Sequence, residues 1–150
     1  MVLASPIMHS PDELTDLFRA SGRKATPQRQ CIFRLLQGNG EHPSADHVYE
    51  AARAEMPTIS LKTVYQTVHD LEAMGEVTLL DLGTGSVRVD PNVEHRHHHL
   101  ICSVCGKVRD VTVDVGSLRL APRDRRGFSV ADVQVHFRGV CEECAPSASA

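Results

Sequence analysis

His95-Arg96-His97-His98-His99-Leu100-Ile101-Cys102-Ser103-Val104-Cys105 sets four histidines and a Cys-x-x-Cys pair within eleven residues. A second pair, Cys141 and Cys144 around Glu142 and Glu143, follows after a gap of 35 residues and precedes a short Ala/Ser tail. Zinc takes soft or borderline nitrogen and sulfur donors, four of them in a closed tetrahedron when its role is structural. Two Cys-x-x-Cys turns supply such a set. The gap is longer than in a compact zinc ribbon. An ion shared by Cys102, Cys105, Cys141 and Cys144 would therefore staple two distant parts of one domain.

Disulfides and ordinary buried thiols are the rival readings of these cysteines. Neither a signal peptide nor a membrane-length apolar run is recognised, which predicts a reducing, cytoplasmic setting with no membrane partner and disfavours disulfides. A redox pair would want a single Cys-x-x-Cys in a thioredoxin-like context. Two pairs beside a histidine cluster favour structural Zn2+. Cys31 lies in a helical pattern far from both pairs and reads as a small buried hydrophobe.

The chain has 150 residues, enough for one or two small domains. Its hydrophobic content of 41% is ordinary, while four Phe, two Tyr and no Trp predict an aliphatic core. The formal charge of −3 gives no hint of nucleic acid. Locally, Arg23, Lys24, Arg29 and Arg34 form an acid-free cluster that by itself reads as a solvated face. Residues 1–10 read as a frayed terminus. Helix starts are predicted at Ser10-Pro11, Thr26-Pro27, Ser44 and Ser60, with stops near Gly22, Gly38, Pro57 and Gly75.

In the fourth helix Leu61, Val64, Val68, Leu71 and Met74 recur at spacings of three and four and form the buried stripe. Lys62, Thr63, Gln66 and Asp70 fall outside it, with Tyr65 near its boundary. Beyond Gly75 the chain reads Val77-Thr78-Leu79-Leu80, then Gly83-Thr84-Gly85, then Val87-Arg88-Val89, a hairpin signal. Helices followed by a hairpin describe a winged helix, in which one helix enters the DNA major groove. The same short elements fit other folds as well.

From residue 90 the pattern changes. Val108–Val115 alternates, with Val111, Val113 and Val115 on one face and Asp110, Thr112 and Asp114 on the other. A short helix is expected near Leu118 and Leu120, and Phe128–Val140 alternates again. These segments predict a small α/β module whose sheet can pair with a copy of itself. The expected fold class is α+β, with a winged helix over 1–89 and an α/β dimerisation and metal-binding domain over 90–150.

The motifs Arg23-Lys24-Ala25-Thr26-Pro27-Gln28-Arg29, Ile59-Ser60-Leu61-Lys62-Thr63-Val64-Tyr65, His97 to Lys107 and Cys141-Glu142-Glu143-Cys144 together resemble the Fur family of bacterial metalloregulators. The resemblance spans roughly residues 10 to 145 in the right order. It implies a homodimeric DNA-binding repressor, not an enzyme, with structural zinc and a regulatory metal between its domains. Carried over residue by residue, the implied regulatory ligands are His42, Asp90, His97, His99 and Asp110. Taken singly, His42 reads as a surface histidine, Asp90 before Pro91 as a turn residue and Asp110 as a solvent-facing strand residue. Three nitrogens and two carboxylates without a thiolate suit Fe2+ or Mn2+. Iron-responsive members place Glu where this chain has Asp90, whereas the peroxide-sensing PerR subgroup places Asp. The closer resemblance to that subgroup implies that peroxide oxidises His42 and His97 and releases the metal. His95, His98 and His136 stay unassigned, and Val133 stands where some members carry the histidine of an additional metal site.

The resemblance also places a double-stranded DNA operator against the fourth helix. It implies that Tyr65 reaches a base edge and Lys24 enters the minor groove, with Arg23, Lys62, Thr63 and Gln66 as further DNA contacts. Boundary residues such as Thr63 and Tyr65 also pack on any amphipathic helix. Within the same class, an iron, manganese or zinc uptake repressor is the alternative. From another class, His97, His99 and an acid resemble the facial triad of non-haem iron oxygenases, but no substrate-pocket signature accompanies them.

Overall fold

The computed structural model describes residues 8–93 and 97–148. Contacts divide the chain into two compact units, residues 1–95 and 96–150. The first opens with α1 (Pro11–Ala20), α2 (Pro27–Leu36), α3 (Ala45–Glu55) and α4 (Leu61–Ala73). Ser10, Thr26, Ser44 and Ser60 cap them by accepting an N–H from the third helical residue, which satisfies a donor the helix cannot use internally. At the end of α4, Gly75 takes φ +76° and the Glu76 N–H returns to the Leu71 carbonyl at 2.9 Å. A side chain at Gly75 would oppose that left-handed turn. The antiparallel hairpin β1 (Thr78–Asp81) and β2 (Val87–Asp90) follows, completing the winged helix.

The core of this unit runs from Met8 through Leu14, Phe18, Ile32, Phe33, Val48, Val64, Val68 and Leu71 to Val89. Two expectations change here. The core is not purely aliphatic: Phe18 and Phe33 sit fully buried near its centre, edge to face with ring centroids 4.8 Å apart. Nor does the described part of the first ten residues fray. Met8 is buried, and His9 binds the buried Glu76 through both its N–H (3.0 Å) and its Nδ1 (2.7 Å).

The basic cluster is not simply solvated either. Arg23 and Arg29 lie 3.4 and 3.0 Å from the two oxygens of Asp70 on α4, and Arg34 lies 3.1 Å from Glu55 on α3. Sequence separation hides these acids; the helix packing brings them in. Lys24 is exposed.

The second unit holds β3 (His98–Cys102), β4 (Val108–Val111) and β5 (His136–Gly139) in the order β4-β3-β5, antiparallel then parallel. The two alternating runs yield less strand than expected. β4 stops at Val111, opposite His98 where β3 begins, and Asp114 instead accepts the Gly116 N–H at 2.9 Å in a local turn. β5 begins only at His136, opposite His99. Alternation supplies the pleat, but a strand persists only where a neighbour offers a ladder. The short helix forms later than expected, as α5 (Pro122–Arg125), because Pro122 suits a first helical turn. The Ala/Ser tail carries α6 (Ala145–Ala148). His95 lies outside the described residues.

Candidate metal centres

The four expected zinc ligands meet in the second unit. Their sulfurs all lie within 4.8 Å of one another, and Cys105 and Cys141 approach to 3.7 Å. A tetrahedral ion with sulfur ligands at about 2.3 Å requires edges of about 3.8 Å, so the donor set fits zinc in number, kind and spacing. Cys102 ends β3 and Cys105 closes the turn after it, where Gly106 takes φ +75° and donates to the Cys102 carbonyl at 3.0 Å. The Cys141–Cys144 turn donates its Cys144 N–H to the Cys141 carbonyl at 2.9 Å. The Cys141 N–H points at the Cys102 sulfur at 3.4 Å, and a Lys107–Glu143 ion pair also joins the two turns.

The charge pattern agrees. Backbone N–H groups of Cys105 and Cys141 pull Cys102 down to about 6, into the thiolate range. Cys144 is pushed up to about 12 by its hydrogen bond to Cys141, and burial adds to the shift. Four thiols this close share protons because four adjacent anions repel; a bound dication removes that restriction. None of the five cysteines is in a disulfide. Cys31 is buried in the first unit, and burial raises its thiol, with Glu55 adding to the effect.

The remaining candidate ligands form one group in each unit. In the first, His42 Nε2 lies 3.4 Å from Asp90 Oδ2, and both side chains are almost fully buried. His42 precedes the cap of α3 and takes φ +53°, a left-handed conformation that costs a residue with a β-carbon on the order of 1 kcal/mol. Asp90 is not a free turn residue beyond the wing. It closes β2 opposite Thr78 and accepts the Asn92 N–H at 2.9 Å. That places it in the first unit, on the wing itself.

In the second unit, His97 and His99 each place Nε2 3.6 Å from Asp110 Oδ1. The cause is register: His99 pairs with Asp110 across β3 and β4, and His97 stands two residues back on the same face. Two imidazoles and a carboxylate converging this closely form a group able to hold a divalent ion. His98, left without a role by the sequence, is buried and accepts the Val135 N–H on Nδ1 at 3.0 Å, joining β3 to the β5 edge. His136 extends the Asp110–His99 row across the sheet, its ring 5.9 Å from that of His99. Its Nε2 is sealed from solvent with no hydrogen-bond partner among the described residues, and burial first, then His99, lowers its pKa. No single-sequence signal marked His136, because only the strand register places it beside His99.

The expected DNA contacts lie on or beside α4. Lys62, Tyr65 and Gln66 are exposed, and Tyr65 keeps 42% of its surface free. Thr63 is half-buried and caught in the Ser60 cap, its Oγ1 lying 2.9 Å from Ser60 Oγ. Arg23 is half-buried against Asp70. Among the described residues no helix is long and apolar enough to cross a membrane.

Comparison with known proteins places this arrangement in a group. The signature of the Ferric uptake regulator family, FUR, matches residues 20–138. A peroxide-responsive repressor PerR of Staphylococcus aureus is 34% identical over 139 residues, covering 92% of this chain and 93% of that one. The iron-bound ferric uptake regulator of Francisella tularensis superposes with a TM-score of 0.70 at 25% identity, covering 83% of this chain and 96% of that one. PerR of Streptococcus pyogenes, described in terms of peroxide sensing and gene regulation, superposes with a TM-score of 0.52 at 27% identity, covering 91% and 94%.

Proposed function

The chain belongs to the Ferric uptake regulator family, and we propose that it is a metal-dependent transcriptional repressor that senses hydrogen peroxide. In this reading the first unit binds a double-stranded DNA operator, the second forms a homodimer, and the protein works in the cytoplasm. Zn2+ on Cys102, Cys105, Cys141 and Cys144 is structural. His42, Asp90, His97, His99 and Asp110 are the ligands of one regulatory Fe2+ or Mn2+.

The convergence of His97 and His99 on Asp110, each at 3.6 Å, carries this reading. It is supported by a second imidazole–carboxylate pair, His42 and Asp90, at 3.4 Å. Neither group contains a sulfur, and nitrogen and carboxylate donors suit iron and manganese better than copper(I). Asp at position 90, with the 34% identity to a peroxide-responsive repressor, favours peroxide sensing over iron uptake control. Fe2+ held there would supply the redox chemistry by which peroxide oxidises a neighbouring ring. His42 and His97 present those rings, and an oxidised imidazole is a weaker donor. The ligands His42 and Asp90 belong to the DNA-binding half and the other three to the dimerisation half. Loss of the ion would remove a ligand set that draws on both halves and so weaken operator binding.

Lys24, Arg23, Lys62, Thr63, Tyr65 and Gln66 are the proposed DNA contacts, as minor-groove, phosphate or base-edge partners. Such contacts release counterions, so operator affinity falls with rising salt. The dimer contact is proposed on the sheet face where Leu100 and Phe137 pair across β3 and β5, 40% and 42% exposed in the single chain.

The test compares operator binding by Fe2+-loaded and Mn2+-loaded protein before and after low peroxide, followed by peptide mass spectrometry. Peroxide sensing requires loss of binding in the iron form alone, with one added oxygen on His42 or His97. Unchanged binding with unmodified histidines would leave a repressor of metal uptake instead.

A further inference from the structure

Arg88 has no part in the metal or DNA roles above, yet it is buried on β2 between two parts of the first unit. Its Nη1 donates to the His42 carbonyl at 3.1 Å, and its Nε donates to Thr84 Oγ1 at 3.2 Å. Thr84 lies in the wing turn, between Gly83 and Gly85, and its hydroxyl donates onward to the Ser86 carbonyl at 3.4 Å. One guanidinium thus spans from the wing turn to His42, three residues before α3.

The residue it reaches is unusual. Among the described residues only His42 and Arg126 combine a β-carbon with positive φ, and such a conformation persists where the surroundings hold it. Here β2 does the holding. Arg88 takes the His42 carbonyl, Val89 donates to the Pro43 carbonyl at 2.8 Å, and Ser44 bridges to Arg88. Arg88 and Asp90 stand two residues apart and share a face of the strand. The planar fork of an arginine can serve two fixed acceptors at once, which the point charge of a lysine does not reproduce.

We propose that Arg88 is a positioning residue that holds His42 in its metal-ligating conformation and ties it to the wing turn through Thr84. Metal capture by His42 and Asp90 and the setting of the wing are then one coupled event. The inference rests on the reading of His42 and Asp90 as metal ligands. A purely structural arginine would lower thermal stability without changing how the wing responds to metal.

The experiment titrates the full-length, zinc-loaded protein with Mn2+ by calorimetry and follows hydrogen–deuterium exchange at residues 82–89. Mn2+ is expected to slow exchange there in the wild type. Arg88→Met is expected to bind Mn2+ about tenfold or more weaker, as losses of outer-shell support do, and to lose the added protection while still unfolding cooperatively. Arg88→Lys should recover part of the affinity. Thr84→Val, which keeps the bond to His42, should lose the added protection in the turn and weaken Mn2+ binding only by the matching factor, since coupling is reciprocal; it carries the test if Arg88→Met does not fold. Wild-type affinity and wild-type protection in Arg88→Met, or unchanged turn protection in Thr84→Val, would overturn the proposal. His42→Ala separates the two readings: if it binds Mn2+ as wild type does, the ligand assignment itself fails.

Discussion

The two units of this chain differ in how much apolar surface each one buries within itself. In the first, Leu14, Phe18, Ile32, Phe33, Leu36 and Leu71 are fully removed from water, and the helices that carry them are individually capped. In the second, Ile101, Cys102 and Val108 are the buried hydrophobic residues among those described, while Leu118, Leu120, Phe128 and Phe137 stay more than 40% exposed. A stretch of this size cannot offset its conformational entropy with so little apolar burial. Four converging sulfurs and an uncovered sheet face are what such a unit offers instead. One half closes a core of its own side chains; in the reading proposed above, an ion and a second copy complete the other.

The largest effect expected from this contrast is on the cysteines. Stripping the metal, or replacing Cys141 by Ser, should remove on the order of 10 kcal/mol from the second unit and abolish the dimer proposed above. Alkylation followed by mass spectrometry checks it. After chelation Cys102, Cys105, Cys141 and Cys144 should label quickly while buried Cys31, its thiol held protonated, stays protected. Labelling of Cys31 at the same rate would show that the first unit depends on the ion too, and the contrast would break.

The reverse perturbation is smaller. Phe33→Ala leaves a cavity against Phe18 and should cost the first unit about 3–5 kcal/mol, read as a lower midpoint in urea with zinc content unchanged. Zinc loss along with it would mean the units do not stand separately. Next comes Asp70→Asn, which removes the charge that Arg23 and Arg29 share. Because these groups are partly solvated, the expected loss is about 1 kcal/mol at low salt. Its disappearance in high salt would mark it as electrostatic, whereas a salt-independent loss would point to packing. Ser60→Ala is the mildest change. It deletes the acceptor for the Thr63 N–H and should lower stability by about 0.5–1 kcal/mol in thermal unfolding. An unchanged midpoint would assign the start of α4 to packing alone.

Local physics explains which features could be read without coordinates. Helix starts at Ser10, Thr26, Ser44 and Ser60 depend on a side chain reaching a donor three residues on, and the stripe of α4 depends on a period of 3.6. Both are written along the chain. The Cys-x-x-Cys turns are local too, so the four cysteines could be proposed as one set from spacing, while His97 and His99 were implied as a pair by the family resemblance. What the tertiary structure decided was pairing at a distance. The extent of β4 and β5 followed from where β3 begins rather than from alternation. The cluster of arginines found Asp70 and Glu55 only when helices packed, and Met8 joined the core next to the contact between His9 and Glu76. His136 came beside His99, and Arg88 came to bridge Thr84 and His42, through register and turn geometry that no window of residues contains. Sequence by itself determined the elements and the donor types, because propensity and ligand chemistry act over a few residues. Packing decided which strands persisted and which charges and histidines came to face one another, because those contacts close loops of tens of residues.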